Sequence, residues 1–259
     1  FMKVVILAGG KGTRLQEETL IKPKPLIEIG SKPLIWHIMK VYSSYGFKDF
    51  VICCGYKGYL IKEYFVNFSL HNSDVTIDVL KNEIKIHKNK NENWKITLID
   101  TGEEVFTGGR ILRIKDFVDD NFLLTYGDGL SNVDIPKTIK LHKTKKRLAT
   151  MTIVQPPGRF GAVDFNNNNE LIKNFSEKIK GDGAWINGGF FVLNKGIFKY
   201  LKNDKTIWEK GPLEELAKKK ELVGYKHRGF WYACDTLRDK NHLEDLWNSN
   251  KAPWKVWSE

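Results

Sequence analysis

Residues 3–8, Lys-Val-Val-Ile-Leu-Ala, form a short apolar run rich in β-branched side chains, and it leads directly into Gly9-Gly10-Lys11-Gly12-Thr13-Arg14. An apolar run without polar alternation predicts a strand buried on both faces, as in parallel sheets covered by helices. Pro33 then stands where a helix can begin. Leu34, Ile35, Ile38, Met39, Val41 and Tyr42 follow at helical spacing, and Gly46 closes the segment. Asp49 to Cys54 is a second apolar strand. Strand, helix and strand in this order predict a βαβ unit.

The period changes to two at Val75. Val75, Ile77 and Val79 alternate with polar residues, as do Ile84 and Ile86, then Trp94, Ile96 and Leu98. This predicts a small antiparallel meander. Further strands are expected over Asn121–Tyr126, Ala149–Val154, Ala162–Phe165 and Ile186–Leu193. Helices are expected over Lys57–Phe68, Leu213–Lys220 and Leu237–Trp247. Strands alternating with helices define an α/β fold with a mixed, mostly parallel sheet. The 259 residues read as one domain, 1–259, with a β insertion at about 75–99 and a helical C-terminal extension at about 236–259.

Apolar residues make up 41% and charged residues 28%, which excludes disordered and collagen-like classes. No uncharged apolar run is long enough to span a membrane. The first ten residues have no signal-peptide cleavage pattern, and Phe1 ahead of Met2 reads as an added residue. Cys53, Cys54 and Cys234 have neither a disulfide nor a metal-ligand spacing, so they read as core thiols of a reduced cytoplasm. Lys and Arg number 42 against 31 Asp and Glu, a formal charge of +11. That excess suits nucleic acid, a membrane surface or a polyanionic small molecule.

Four constellations can carry chemistry. Glycines at a strand end let backbone N–H groups approach phosphate, and Arg14 adds a planar fork, but the loop is neither a P-loop nor the dinucleotide fingerprint. Its alternative is an ordinary strand-to-helix turn. Lys24, in Lys22-Pro23-Lys24-Pro25-Leu26, is presented by a stiffened, extended backbone, as a phosphate clamp or a solvated basic turn. Asp128 lies between Gly127 and Gly129 at a strand end, where α/β sheets bind ligands. Asp235 opens a helix, as a cap for it or as the second carboxylate of a Mg²⁺ holder. Asn187, polar within an apolar strand, needs a partner: a turn or a sugar hydroxyl. Arg110 follows Gly108-Gly109 as an anion contact or a surface residue. Lys137 to Arg147 reads as a solvated helix face, and the late tryptophans as core or subunit interface.

The stretch Leu7-Ala8-Gly9-Gly10-Lys11-Gly12-Thr13-Arg14-Leu15, with Lys22-Pro23-Lys24-Pro25-Leu26, resembles the signature of sugar-nucleotide pyrophosphorylases, a nucleotidyltransferase family with a Rossmann-like sheet. Similarity continues through Trp36–Met39, Cys53–Gly58, Thr125–Gly129, Pro156–Ala162, Ile186–Phe191, Asp235–Lys240 and Lys251–Lys255. These stretches look like the branch that joins CTP to glucose 1-phosphate, giving CDP-glucose for bacterial surface polysaccharides. The resemblance implies that Leu7, Ala8, Gly9, Gly10, Lys11, Gly12, Thr13, Arg14, Val105, Arg110 and Gly127 bind the nucleotide. It implies that Lys24 bridges the two phosphates, with Arg14 and Asp128 beside it in the catalytic group. Asp128 and Asp235 would hold Mg²⁺. Gly161, Glu177, Lys178 and Asn187 would contact the glucosyl phosphate. Three positions depart from the family pattern: Lys11 replaces a common Leu, Ile179 stands where Pro follows Glu-Lys, and Glu103-Glu104-Val105 replaces small polar residues.

The implied chemistry is attack by a sugar-phosphate oxygen, already anionic at neutral pH, so no general base is required. The expected partners are CTP, glucose 1-phosphate and further copies of the chain, with no nucleic acid and no membrane. A dTTP- or UTP-dependent enzyme, or a noncatalytic nucleotide- or RNA-binding subunit on the same fold, remain the alternatives.

Overall fold

A computed structural model describes residues 2–89, 92–156, 162–165, 172–176 and 184–258. Its centre is a seven-stranded sheet. In chain order the strands are β1 (Val4–Leu7), β2 (Asp49–Cys54), β3 (Lys95–Asp100), β4 (Asn121–Tyr126), β5 (Ala149–Val154), β6 (Ile186–Asn194) and β7 (Leu222–His227). Across the sheet they run β7-β5-β6-β4-β1-β2-β3. All neighbours are parallel except at β6, which is antiparallel to both β4 and β5.

Every residue of β1 is buried. Val4 and Ile6 face one layer and Val5 and Leu7 the other, so the two-sided apolar run fills two cores at once. The first core lies under helix α1 (Leu34–Ser44), through Leu34, Ile35, Ile38, Met39 and Tyr42. The second lies under helix α2 (Thr107–Arg113) and the segment holding Ile197, Phe198 and Trp208.

β1 leads by α1 to β2 on one side, whereas β4 pairs on its other side. The strand order therefore reverses beside β1, the place where open α/β sheets bind ligands. Leu7 is level with Cys53 of β2 and Tyr126 of β4, so the loops after these strands emerge together.

The expected three-stranded insertion is corrected in extent. Ser73–Asp78 and Glu83–Asn89 form a two-stranded antiparallel hairpin, but Lys95–Asp100 is β3, parallel to β2. The expected alternation is present: Ile96 and Leu98 pack on the first core and Ile99 on the second. A period of two reports a half-buried strand, and says nothing about the direction of its neighbour.

The C-terminal segment covers α1. Helix α3 (Leu237–Asn248) and the residues after it bring Trp247, Trp254 and Trp257 around His37, with ring centroids 4.7–6.3 Å away. His37 is fully buried, with Nε2 2.8 Å from the Ile29 carbonyl. Trp254 Nε1 donates to Nδ1 at 3.3 Å, so the ring is neutral and carries its proton on Nε2. Lys137, Lys140, Lys143, Lys145, Lys146 and Arg147 are exposed on or just after the helix Ile135–Lys145, a solvated basic face.

Burial pushes the His37 pKa down to about 4, against the help of the Ile29 carbonyl. An unfolded histidine takes its proton near pH 6.5. Between those values the unfolded chain binds a proton that the folded chain refuses, so stability falls as pH drops. Full expression of that shift is worth roughly 3 kcal/mol. Urea unfolding at pH 7.5 and pH 4.5 should show a smaller acid loss in His37→Gln than in the parent.

Candidate active site

Chain geometry at the end of β1 is set by close approach. The Gly9 carbonyl accepts from Tyr56 N at 3.1 Å and Arg110 Nη2 at 2.9 Å. A Cβ on Gly9 would lie 2.1 Å from the Arg110 guanidinium, so a larger residue there would have to displace that buried side chain. Gly12 follows with φ +64°, in the left-handed region that favours glycine. Its carbonyl accepts from Leu15 N at 3.0 Å, opening a short turn that carries Thr13 and Arg14.

This loop, the turn after β4 and the segment around Lys24 enclose a cleft of about 250 Å³. Leu7, Ala8, Gly9, Gly10, Gly12, Thr13, Arg14, Lys24, Arg110, Gly127, Asp128 and Asp235 line it, so most of the residues singled out in the sequence meet at one place. Val105 is buried, while Lys11 and Asn187 stand outside the lining. Gly161, Glu177 and Lys178 lie outside the described residues. Pro25, Thr107 and Tyr126 also line the cleft. Tyr126 could have been singled out, as the polar end of an apolar strand directly before Gly127-Asp128; Thr107, directly before Gly108-Gly109, carried a weaker signal.

Three ion pairs dominate the cleft. Lys24 Nζ lies 2.6 Å from Asp128 Oδ2 and 2.7 Å from Asp235 Oδ1. Arg14 Nη1 lies 2.7 Å from Asp235 Oδ2. Burial disfavours the Lys24 ammonium, but Asp128 and Asp235 outweigh it and its pKa is raised. The backbone presenting Lys24 differs from the extended segment expected. Pro23 is extended, but Lys24–Leu26 is one turn of 3₁₀ helix. Proline is tolerated in a first turn, where its missing N–H has no partner to lose.

The two readings of Asp235 separate clearly. The helix cap is its neighbour: Thr236 Oγ1 accepts from Asp239 N, and Asp239 Oδ2 accepts from Thr236 N. The Asp235 carboxylate instead turns into the cleft. Both aspartates converge on one point, where the Lys24 ammonium sits as a stand-in cation. Two carboxylates converging on one cation are a donor set that fits a magnesium ion, whose shell phosphate and water oxygens would complete. No cluster of three or more metal-ligating side chains occurs among the described residues, so phosphate or water oxygens would have to supply the remaining ligands.

Besides lining the cleft where a phosphate contact is expected, Arg110 has a structural duty. It is 4% exposed, and its guanidinium donates to the carbonyls of Gly9, Cys54, Gly102 and Glu103 and to Thr101 Oγ1. It ties the glycine loop to the ends of β2 and β3. Desolvation lowers its pKa. Two of the departures from the family pattern meet each other: Lys11 Nζ donates to Glu104 Oε1 at 2.6 Å across the mouth of the loop. The charge that Lys11 adds beside the cleft is thereby matched.

The fold and this cleft define a nucleotide-transferring protein, and comparison with known families agrees. A sequence model described as Nucleotidyl transferase matches residues 3–232, and the chain belongs to that family. It is 55% identical over 258 residues to the glucose-1-phosphate cytidylyltransferase of Salmonella typhimurium, covering 99% of this chain and 100% of that protein. It is 46% identical to a probable glucose-1-phosphate cytidylyltransferase of Bacillus subtilis, with the same coverage. Among solved structures, HddC from Yersinia pseudotuberculosis superposes with a TM-score of 0.69 at 22% identity, over 95% of this chain and 100% of that one. A putative glucose-1-phosphate thymidylyltransferase from Bacillus anthracis gives 0.70 at 19% identity, over 100% and 98%. These two likenesses concern the fold alone.

Arg110→Met should destabilise the protein by at least about 1–3 kcal/mol, because buried carbonyls lose their donors. Chemical unfolding measures this, and an unchanged midpoint would remove the tie from the account.

Proposed function

We propose that this chain transfers the cytidylyl group of CTP to glucose 1-phosphate, releasing pyrophosphate and CDP-glucose. The observation that carries the reading is the convergence of Lys24, Arg14, Asp128 and Asp235 in a cleft beside the glycine loop. Identity of 55% to a curated glucose-1-phosphate cytidylyltransferase supports the choice of substrates.

A sugar-phosphate oxygen attacks the α-phosphorus of CTP. The new P–O bond forms as the bond to the β-phosphate bridge breaks, and pyrophosphate leaves with that electron pair. The dianionic phosphate is its own nucleophile, so the chain need not supply a base. The obstacle is repulsion between two anions, which positioning and fixed charge overcome. The Lys24 ammonium neutralises charge between the two phosphates, and Arg14 neutralises the triphosphate. N–H groups of the glycine loop hold phosphate oxygens. Asp128 and Asp235 would hold Mg²⁺, which would supply further charge neutralisation at the phosphates. Glu177, Lys178, Gly161 and Asn187 complete the sugar-phosphate side in this reading.

The reading includes assembly into a homo-oligomer. Val79 and Leu80, at the tip of the hairpin, are 87% and 95% exposed, and the paired Ile77 and Ile84 of the same hairpin are exposed too, a clustered apolar surface of the kind that marks interaction sites. Light scattering that finds only single chains would remove this part. Among the described residues no helix is long and apolar enough to cross a membrane.

The test is pyrophosphate release from each of CTP, UTP, dTTP and ATP, with glucose 1-phosphate and Mg²⁺. CTP should be preferred, and a clear preference for UTP or dTTP would replace the cytidylyl assignment. Lys24→Ala should lower kcat by about 10²–10³, the scale of a lost oxyanion-type donor. A folded Lys24→Ala protein with near-normal turnover would contradict the mechanism.

A further inference from the structure

One polar array along the cleft wall is, apart from Asn187, not used by the chemistry above. Thr107 and Tyr126 line the cleft, and Glu209 stands between their hydroxyls. Thr107 Oγ1 donates to Glu209 Oε2 at 2.7 Å, and Tyr126 OH donates to Oε1 at 2.6 Å. Asn187 Nδ2 donates to the same Tyr126 oxygen at 3.1 Å, and Asn187 Oδ1 accepts from Gly189 N at 2.8 Å.

The proton directions in this array follow from the ends. A carboxylate only accepts, whereas a hydroxyl has a single proton to give. Trp208 N donates to Thr107 Oγ1 at 2.9 Å, so the Thr107 proton goes to Glu209. The Tyr126 proton also goes to Glu209, leaving its oxygen able only to accept. Whatever faces Tyr126 from β6 must therefore donate. This requires the nitrogen of the Asn187 amide at Tyr126, and the Gly189 N–H independently requires its oxygen at the other end. The amide is thus fixed from both sides. Its second N–H has no partner among the described residues and remains a donor for a ligand.

We infer that Glu209 is a positioning residue for sugar binding: through Tyr126 it fixes the Asn187 amide as a hydrogen-bond donor to a hydroxyl of the glucosyl phosphate. This rests on the proposed reaction, in which Asn187 meets the sugar. It goes beyond that reading by assigning a proton direction to the contact and a source for it in a residue outside the family's motifs. A neutral glutamine at 209 can donate to Tyr126 OH. The tyrosine proton is then released toward Asn187, and the amide keeps only the restraint from the Gly189 N–H, with a proton now facing its nitrogen.

The test is steady-state kinetics of Glu209→Gln and Tyr126→Phe with both substrates varied, beside thermal unfolding of each protein. Glu209→Gln should raise KM for glucose 1-phosphate about five- to tenfold, the scale of one hydrogen bond. KM for CTP should stay within about twofold on the same scale. Tyr126→Phe should give the same pattern, and the double variant should be no worse than either single one, since both break one relay. A series of deoxyglucose 1-phosphates supplies a readout that mere loosening would not move. The parent should discriminate against the analogue lacking the contacted hydroxyl, and Glu209→Gln should lose that discrimination. An unchanged KM for glucose 1-phosphate in both variants, or equal increases for both substrates, would overturn the inference. A parent protein that makes no CDP-glucose would instead overturn the proposed reaction, along with the sugar contact built on it.

Discussion

The parallel pairing of β1 between β2 and β4 is the constraint from which the rest of the site is measured. All four β1 residues are buried, and their alternation serves two cores. A slip of one residue would exchange the two sets of side chains. The register places Leu7 level with Cys53 and Tyr126, and so brings the glycine loop, Gly55 and Gly127-Asp128 to one edge. Arg110 then secures that edge by hydrogen bonds to carbonyls from three separate segments. The Gly9 and Gly12 carbonyls of the loop are engaged on the protein side, which suits a surface whose N–H groups serve an anion.

Within that frame the cleft balances opposite charges. Lys24 and Arg14 face Asp128 and Asp235 in one connected cluster. Such a cluster is partly compensated before any ligand arrives, and this eases the cost of holding an ammonium away from water. It also explains why a chain with formal charge +11 does not present an unbroken positive pocket. Much of the excess lies elsewhere, including the exposed lysines on and after the helix Ile135–Lys145.

The sequence made β1, α1, β2 and the loop legible because their patterns are local: an apolar run, a helical stripe and glycines at a strand end. Asp128 and Lys24 were legible for the same reason. The direction of β3 was not, since alternation is common to parallel and antiparallel edges and the pairing with β2 spans some forty residues of chain. The choice between cap and cleft for Asp235 turned on Thr236 and Asp239, whose capping box could have been read as a motif. The structural tie made by Arg110 was not legible, because its carbonyl partners are backbone atoms without a residue signature. Glu209 carried no local signal at all; it meets Tyr126 across 83 residues of chain. The match of Lys11 to Glu104 likewise becomes visible only when the chain has folded, across 93 residues.

The contact between Trp254 and His37 bears on the order in which the chain can be completed during synthesis. His37 belongs to helix α1, made early, yet its Nδ1 receives the Trp254 donor from a residue made more than 200 positions later. The second carboxylate of the cleft, Asp235, also arrives late. A nascent chain that has emerged only as far as β7 therefore has every strand of the central sheet, but it has an open aromatic socket over α1 and a Lys24 faced by Asp128 alone. Competence comes with the last helix and the tryptophans that follow it, so a partly made chain has the nucleotide loop without the charge arrangement that would put it to use.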